Sequence, residues 1–245
     1  MILKRKIYKK LLEWKKECQG KKALLIEGAR RIGKSTICEE FGKNEYKSFL
    51  LIDFAKKDKE VEGYFEKYLN DLDTFFMLLQ THFGTKLTER NSLIIFDEVQ
   101  MFPQARAAIK YLVADGRYDY IETGSLISIR ENVKNIVIPS EERHINMYPL
   151  DFEEFAIALE EDLLVEYIKK CFEKREPLER SMHNQAMLLF HQYMLVGGMP
   201  MPVVTFIESK KDFTEADREK RDILKLYRED IMKIDAKYRS KVLAI

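Results

Sequence analysis

Cysteine is scarce in this chain of 245 residues, and its placement excludes two kinds of scaffold. The three cysteines, Cys18, Cys38 and Cys171, are far apart, odd in number and form no Cys-x-x-Cys pair. Neither a disulfide framework nor a zinc site on paired cysteines is expected, and the pattern is typical of a reducing cytoplasm. The four histidines, at positions 82, 144, 183 and 191, also lack the spacing of metal ligands.

Long apolar runs and an excess of one charge are lacking too. No run approaches the length of about 20 residues that a membrane helix needs, and no secretory signal precedes the first predicted helix. We therefore expect a cytoplasmic protein without a membrane partner. The net charge is +1, from 42 basic and 41 acidic residues, so the overall balance does not indicate a nucleic acid as partner. Only ten glycines and six prolines interrupt the chain, which favours a helix-rich fold.

The most informative stretch lies between an apolar run at 23–26 and a predicted helix. It reads Gly-Ala-Arg-Arg-Ile-Gly-Lys-Ser from Gly28 to Ser35, which is the Walker A pattern in the strand-loop-helix context that this pattern requires. Glycines at both ends let the backbone N–H groups turn inward around a compact anion. The helix that begins near Lys34 adds its own N-terminal N–H groups and the positive end of its dipole. A glycine-rich turn that merely opens a helix is the alternative interpretation.

This loop is expected to bind the phosphates of a nucleotide. Lys34 would bring a positive charge to the β- and γ-phosphates, and the hydroxyl of Ser35 would bind Mg²⁺. The residues predicted to contact the nucleotide are Gly28, Ala29, Arg30, Arg31, Ile32, Gly33, Lys34, Ser35 and Thr36.

A second motif follows further along the chain, where the apolar run at 92–96 leads directly into Asp97 and Glu98. This is the Walker B arrangement. A parallel strand presents its carboxyl end at the ligand edge of the sheet, so Asp97 is predicted to hold Mg²⁺ together with Ser35. Glu98 is predicted to act as the general base for a water in line with the γ-phosphate. Many strands end in acidic residues, but this pair combined with the upstream loop indicates a nucleotide hydrolase.

A further predicted strand, at 118–123, ends in the tripeptide Thr123-Gly124-Ser125. A polar side chain at the end of the strand beside the Walker B strand could sense the γ-phosphate or orient water. Thr123 is the first candidate for that role and Ser125 the second. A simple turn in which Ser125 caps a helix is the alternative.

Hydrophobic periodicity divides the chain into an α/β part at 1–150, with an N-terminal helix, and a helical part at 151–245. In the first part, helices are predicted at 4–18, from the end of the loop to Gly42, within 56–84 with a break near 70–71, and at 103–115. A buried strand is predicted at 48–52, and short extended pieces are predicted at 136–139 and 144–148. The second part is predicted to begin with a helix capped by Asp151 and to be helical at 156–195 and 202–240. The basic face of the first helix is interpreted as a solvated surface, because Glu13 and Glu17 dilute its charge.

These motifs resemble those of the prokaryotic AAA-type ATPase family, within the additional-strand P-loop NTPases, that carries a nuclease-like C-terminal domain of unknown function. The segments that carry the resemblance are 25–35, 95–100 (Ile-Phe-Asp-Glu-Val-Gln), 109–112, 123–125, 148–155 (Tyr-Pro-Leu-Asp-Phe-Glu-Glu-Phe), 197–200 (Gly-Gly-Met-Pro) and 227–231. The resemblance implies an α/β P-loop NTPase fold, in which a parallel sheet of about five strands, in the order 5-1-4-3-2, is sandwiched by helices. It also implies a small all-α domain after the sheet, and ATP as the nucleotide.

Two departures from the family pattern bear on function. Many relatives have Gly-Arg before the Pro-Leu-x-Phe block, where this chain has Ser140-Glu-Glu-Arg143. Arg143 is the candidate to replace that arginine as a phosphate sensor or as a finger that reaches a neighbouring subunit, or the role is absent. Relatives also continue well beyond position 231, whereas this chain ends at Ile245, so it is expected to lack most of the C-terminal domain.

The sequence therefore predicts a Mg²⁺-dependent ATPase that drives a conformational change, with Lys34, Glu98, Thr123 and Arg143 as the catalytic residues. Arg30 or Arg31 of the loop is the alternative to Arg143 as the arginine that completes the site. The alternative is an ATP-binding switch or partner-interaction module with little intrinsic hydrolysis, which the missing Gly-Arg favours. A homo-oligomer and an unidentified protein partner are compatible with both. Binding to nucleic acid is supported only by the basic first helix.

Overall fold

The computed structural model describes residues 1–125 and 140–231. The extended piece predicted at 136–139 and the end of the helical segment predicted at 202–240 lie outside the described residues. Within those two ranges, every helix is too short or too polar to cross a lipid bilayer.

In the described part of the chain, five parallel strands form one sheet. They are β1 (Ala23–Glu27), β2 (Ser48–Asp53), β3 (Ser92–Asp97), β4 (Asp119–Gly124) and β5 (Glu142–Asn146). β3 and β4 are buried along their whole length, as expected for parallel strands that are covered on both faces. The order across the sheet is β2-β3-β4-β1-β5, and every neighbouring pair is parallel. From the other edge this is the predicted order 5-1-4-3-2, so the predicted fold class is confirmed.

Helices and two short 3₁₀ turns connect the strands. The helices are α1 (Ile7–Cys18), α2 (Lys34–Glu45), α3 (Lys59–Lys67), α4 (Leu72–Phe83) and α5 (Pro103–Asp115), and the turns are Phe54–Lys56 and Val99–Met101. Asp58 and Asp71 accept hydrogen bonds from backbone N–H groups at the starts of α3 and α4. α5 opens on Pro103, whose missing N–H would have no partner in the first helical turn.

An aromatic cluster fixes the position of β3, whose last residue is Asp97. Phe65 of α3 packs edge-to-face on Phe75 of α4, with ring centroids 5.0 Å apart, and on Phe96 of β3, at 5.6 Å. All three rings are buried. Edge-to-face contacts of this kind each add about 0.5–1.5 kcal/mol beyond the buried area, so the strand end that carries Asp97 is held rigidly.

The prediction that Gly42 ends the helix after the loop is wrong. α2 continues to Glu45, and Gly42 lies inside it and is buried. A Cβ atom at this position would come within 2.8 Å of Cγ of Phe49 on β2. The glycine therefore permits close packing of the helix on the strand, which is a tertiary requirement that local sequence signals do not reveal.

The chain divides into two compact units, one from Lys6 to Tyr148 and the other comprising Met1–Arg5 together with the chain from Pro149 onward. The helices of the second unit are α6 (Phe152–Ala158), α7 (Asp162–Lys174), α8 (Arg180–Val196), α9 (Pro200–Glu208) and α10 (Phe213–Ile231). Asp151 caps α6 as predicted, in a capping box with Glu154. Arg5 forms a buried ion pair with Glu154 at 3.3 Å. α1 begins at Ile7 rather than at the predicted residue 4.

Candidate functional site

The carboxyl edge of the sheet collects the predicted site residues. In the parallel register, Ile26 of β1 lies beside Thr123 of β4, and Asp53 of β2 lies beside Asp97 of β3. The loop that follows β1 therefore leaves the sheet at the same edge as the ends of β3 and β4. This edge is where open α/β sheets bind ligands.

The loop from Gly28 to Ser35 is tightly folded against the sheet. A Cβ atom on Gly28 would lie 2.4 Å from the carbonyl oxygen of Met147 and 2.6 Å from Cδ1 of Ile32, so only glycine fits there. Ile32 is fully buried and anchors the loop. Gly33 adopts a left-handed conformation with φ of 90° just before α2 begins at Lys34. The backbone geometry is thus that of a loop wrapped before a helix N-terminus, which suits a phosphate group.

Lys34 is the only lysine among the buried polar residues of the described chain, at 5% exposure. Its Nζ donates hydrogen bonds to the carbonyl oxygens of Gly28, at 3.1 Å, and Ala29, at 2.8 Å. Burial lowers the pKa of this ammonium group, and the carboxylates of Glu98 and Asp97 oppose that shift. Neutral carbonyls are weak partners for a buried cation, so the site suits an anion that pairs with the charge more strongly.

Asp97 joins the two sequence motifs physically. The hydroxyl of Ser35 donates a hydrogen bond of 2.9 Å to Oδ1 of Asp97, and the hydroxyl of Thr123 donates to the same oxygen. Within residues 1–125 and 140–231, no cluster of three or more His, Cys, Asp or Glu side chains could hold a metal by itself. A single carboxylate beside a hydroxyl fits Mg²⁺ nevertheless, because this ion usually keeps water and substrate phosphates as its other ligands.

Thr123 lies in this carboxylate network and is fully buried. Besides donating to Asp97, its hydroxyl accepts a hydrogen bond of 3.3 Å from the backbone N–H of Glu98. The predicted contact of Thr123 with a γ-phosphate stays a prediction. Ser125, the second candidate, is also buried, at 7% exposure.

Glu98 adopts a left-handed backbone conformation with φ of 53°, which is uncommon for a residue with a side chain. The side-chain Nε2 of Gln100 donates a hydrogen bond to Oε2 of Glu98. The sequence interpretation did not assign Gln100 any role. The available signal was a single polar residue within the apolar stretch at 99–102, immediately after the acidic pair.

The candidate arginines lie in different parts of the structure: Arg30 and Arg31 in the loop, and Arg143 in β5. Arg30 and Arg31 are exposed in the loop itself. Arg143 lies in β5 beside Leu24, four residues before Gly28, and donates a 2.7 Å hydrogen bond to Glu17 of α1. Within its own chain, Arg143 is thus placed with Glu17 rather than at the loop, and its role as a phosphate sensor stays a prediction. A role across a subunit boundary stays a prediction.

A cluster of charged side chains lies on the face of the sheet that α5 covers, and its members Arg106, Glu122 and Glu142 are buried. Arg106 of α5 makes two hydrogen bonds with Glu142 of β5, at 3.0 and 2.8 Å. The ring of His144 lies 3.3 Å from Glu142 and 3.4 Å from Glu27, the residue before Gly28. Burial, with repulsion from Glu142, raises the pKa of Glu122 in β4 well above its ordinary value. The cluster leaves no pattern in the sequence, because its members are distributed over four separate elements.

Solved structures with a similar fold come from several organisms. The chain is similar to the ORC1 protein of Aeropyrum pernix in complex with DNA, at 9% identity over 80% of this chain and 68% of that chain, with a TM-score of 0.39. It is similar to C. elegans PCH-2, at 12% identity over 88% of this chain and 65% of that chain, with a TM-score of 0.43.

A third similar structure is a Signal Transduction ATPase with Numerous Domains from Pyrococcus horikoshii, which has a tetratricopeptide repeat sensor. The identity is 18%, over 94% of this chain and 34% of that chain, with a TM-score of 0.45. All three likenesses concern the fold alone. The chain spans less than two thirds of the length of the last two proteins.

Comparison by sequence gives two results. No curated protein is significantly similar in sequence to the chain. A family model for the AAA domain matches residues 20–156, a range that covers more than half of the chain and contains every residue of the site described above. The chain therefore belongs to the AAA domain family.

Proposed function

We propose that the chain is an ATPase that binds ATP and Mg²⁺ on the loop from Gly28 to Thr36 and hydrolyses the β–γ phosphoanhydride bond. The observation that carries the proposal is the 2.9 Å hydrogen bond between Ser35 and Asp97, because it joins two motifs that lie 62 residues apart in the chain. Membership of the AAA domain family supports nucleotide binding. ATP is proposed rather than GTP because the sequence has no Asn-Lys-x-Asp segment.

Binding is assigned to the loop and to the first turn of α2. Backbone N–H groups between Gly28 and Thr36 and the ammonium of Lys34 would hold the phosphates. Lys34 would exchange its two carbonyl partners for phosphate oxygens, which are stronger acceptors because they are charged. Ser35 and Asp97 would hold Mg²⁺, which supplies charge neutralisation at the β- and γ-phosphates when bound.

Hydrolysis is assigned to Glu98. Its carboxylate would accept a proton from a water molecule whose oxygen forms the new bond to the γ-phosphorus. The bond between that phosphorus and the bridging oxygen breaks, ADP and inorganic phosphate leave, and the proton passes from Glu98 to solvent. General-base catalysis of this kind contributes about 10²- to 10⁴-fold in rate. Thr123 would support the step by fixing Asp97 and the backbone of Glu98.

A second candidate function is an ATP-binding switch with little hydrolysis of its own. One observation favours it: Arg143, the candidate to complete the catalytic site, is paired with Glu17 and lies beside Leu24 rather than beside the loop. An arginine supplied by a second copy of the chain or by a protein partner would then be required for turnover. Self-association and a partner-dependent change in the helical unit belong to this proposal.

The two functions are separated by measuring ATP binding and phosphate release for the wild-type chain and for Lys34→Ala and Glu98→Gln. A hydrogen bond to a charged group contributes about 1.5–3 kcal/mol, so Lys34→Ala should weaken ATP binding by about 10- to 100-fold. Glu98→Gln should bind ATP normally and lose turnover. Lys43→Ala is the matched control, because Lys43 lies on the same helix with a half-exposed side chain.

Three results decide between the candidates. Turnover by the wild-type chain that Glu98→Gln abolishes supports the ATPase. Tight ATP binding with equal, minimal phosphate release by the wild type and Glu98→Gln supports the switch. Absence of ATP binding by the wild-type chain contradicts both.

A further inference from the structure

Gln100 contacts the proposed general base directly. It lies in the 3₁₀ turn Val99–Met101, immediately after Glu98, and its side-chain Nε2 donates a hydrogen bond to Oε2 of Glu98. The side chain of Gln100 is buried, at 8% exposure. A buried amide that donates to a carboxylate makes a charge-assisted bond, which is stronger than a bond between neutral groups.

The turn that carries Gln100 is anchored on both sides. The backbone N–H of Met101 donates to the carbonyl of Glu98 at 2.9 Å, and that of Phe102 donates to the carbonyl of Val99 at 3.1 Å. Val99 is 1% exposed and Phe102 is 6% exposed. Phe102 also stacks on Phe54, with ring centroids 5.3 Å apart. The backbone of Gln100 is therefore held in place, and the length of its side chain limits the positions that the amide group can occupy.

Glu98 is constrained from two directions. Its backbone is held in the left-handed region, at φ of 53°, where the N–H group donates to Thr123. This conformation costs about 1–2 kcal/mol for a residue with a Cβ atom, so its presence at an acidic residue beside the loop suggests a functional constraint. Among the described residues, Oε2 accepts from Gln100 and no hydrogen bond to Oε1 is found.

We propose that Gln100 is a positioning residue, which holds Oε2 of Glu98 and so directs Oε1 toward the attacking water. The proposal rests on the function proposed above, in which Glu98 is the general base. A glutamate side chain has three rotatable bonds. Only some of its conformers place a carboxylate oxygen close enough to the attacking water to accept its proton. Displacement of a reacting group by about 1 Å can cost on the order of 100-fold in rate.

A purely structural role makes different predictions. If the hydrogen bond served only to satisfy a buried amide, its loss would reduce thermal stability and nucleotide affinity along with turnover. A positioning role changes kcat alone, because Glu98 acts on water during the chemical step and does not hold the nucleotide. The two roles are therefore separable by measuring kcat, KM, nucleotide affinity and melting temperature on the same variants.

The test is Gln100→Met, which keeps the length of the side chain and removes the amide. Its matched control is Gln104→Met, a change at an exposed glutamine in the first turn of α5. We expect Gln100→Met to lower kcat by about 10- to 100-fold, with unchanged KM and unchanged affinity for a non-hydrolysable ATP analogue. In a Glu98→Gln background, the same change should have no further effect on turnover.

Each contrary result has a distinct meaning. If the wild type turns over ATP and Gln100→Met does so equally fast, the positioning role is overturned and the proposed ATPase stands. A parallel loss of kcat, analogue affinity and melting temperature overturns it in favour of a structural role. If the wild type turns over no faster than Glu98→Gln, the proposed ATPase fails, and the role of Gln100 in it fails as well.

Discussion

The carboxyl group of Glu122 is expected to bind a proton more tightly in the folded chain than in the unfolded chain. Glu122 has no exposed surface, and burial with the neighbouring charge of Glu142 raises its pKa well above the ordinary value. The guanidinium of Arg106 opposes this shift, but it already makes two hydrogen bonds with Glu142. A neutral acid at position 122 can donate a hydrogen bond to Glu142, which an ionised one cannot.

The perturbation that tests this is Glu122→Gln, because the amide matches the neutral acid in shape and also carries a donor. Since the folded pKa is raised, the wild type loses stability as the pH rises from the unfolded pKa toward the folded one, with a slope of up to about 1.4 kcal/mol per pH unit. Below the unfolded pKa the group is protonated in both states and contributes no such cost. The advantage of Glu122→Gln over the wild type should therefore be small near pH 4 and grow toward neutral pH.

Urea unfolding at a series of pH values measures this difference directly. The contrasting variant is Glu142→Gln, which leaves the charge of Arg106 without its carboxylate and should destabilise the chain by about 3–5 kcal/mol. A difference between Glu122→Gln and the wild type that does not change between pH 4 and pH 8 would refute the reasoning. A stability deficit of Glu122→Gln relative to the wild type that increases with pH above the unfolded pKa would show that Glu122 is ionised in the folded state.

Two glycine substitutions give further predictions. Gly28→Ala would place a Cβ atom 2.4 Å from the carbonyl oxygen of Met147, so the loop should move and ATP binding, measured by calorimetry, should be lost. Gly42→Ala should destabilise the chain by about 1–3 kcal/mol in urea unfolding, because the added methyl overpacks the contact with Phe49. An exposed helix position would instead gain about 1 kcal/mol from the same change.

The substitution at Gly42 has a control within the chain. Gly63 lies in α3 and has open space where a Cβ atom would be placed, so Gly63→Ala should stabilise the chain slightly. Equal effects of Gly42→Ala and Gly63→Ala would contradict the packing account. Retention of full ATP affinity by Gly28→Ala would contradict the role given to the loop.

Local sequence signals predicted much of the fold because each acts over a few residues. Apolar runs without alternation marked β1, β2 and β3, and Pro103 and Asp151 marked helix starts where the structure has them. The order of the strands came from the family resemblance, since periodicity carries no information on which strands are neighbours. Gly42 misled the prediction because its role depends on Phe49, which lies on another element.

The parts of the candidate site that belong to a contiguous sequence motif could be predicted. Both the loop from Gly28 to Ser35 and the acidic pair are contiguous in sequence, and the fold brings them together. The position of Arg143 was not predictable, because it depends on the register of β5 against β1 and on the partner Glu17. Gln100 belongs to a segment that carries the family resemblance, but its contact with Glu98 was not predicted, because the position of a side-chain amide depends on the local turn.

The central claim is that this chain cleaves ATP with Glu98 as the base, and the identity of the bound nucleotide tests it most directly. Radiolabelled ATP and Mg²⁺ would be mixed with excess protein, and the nucleotide that remains bound would be separated over time. We expect ADP on the wild type, uncleaved ATP on Glu98→Gln and much less bound nucleotide on Lys34→Ala. Conversion of ATP to ADP on Glu98→Gln at the wild-type rate would contradict the account.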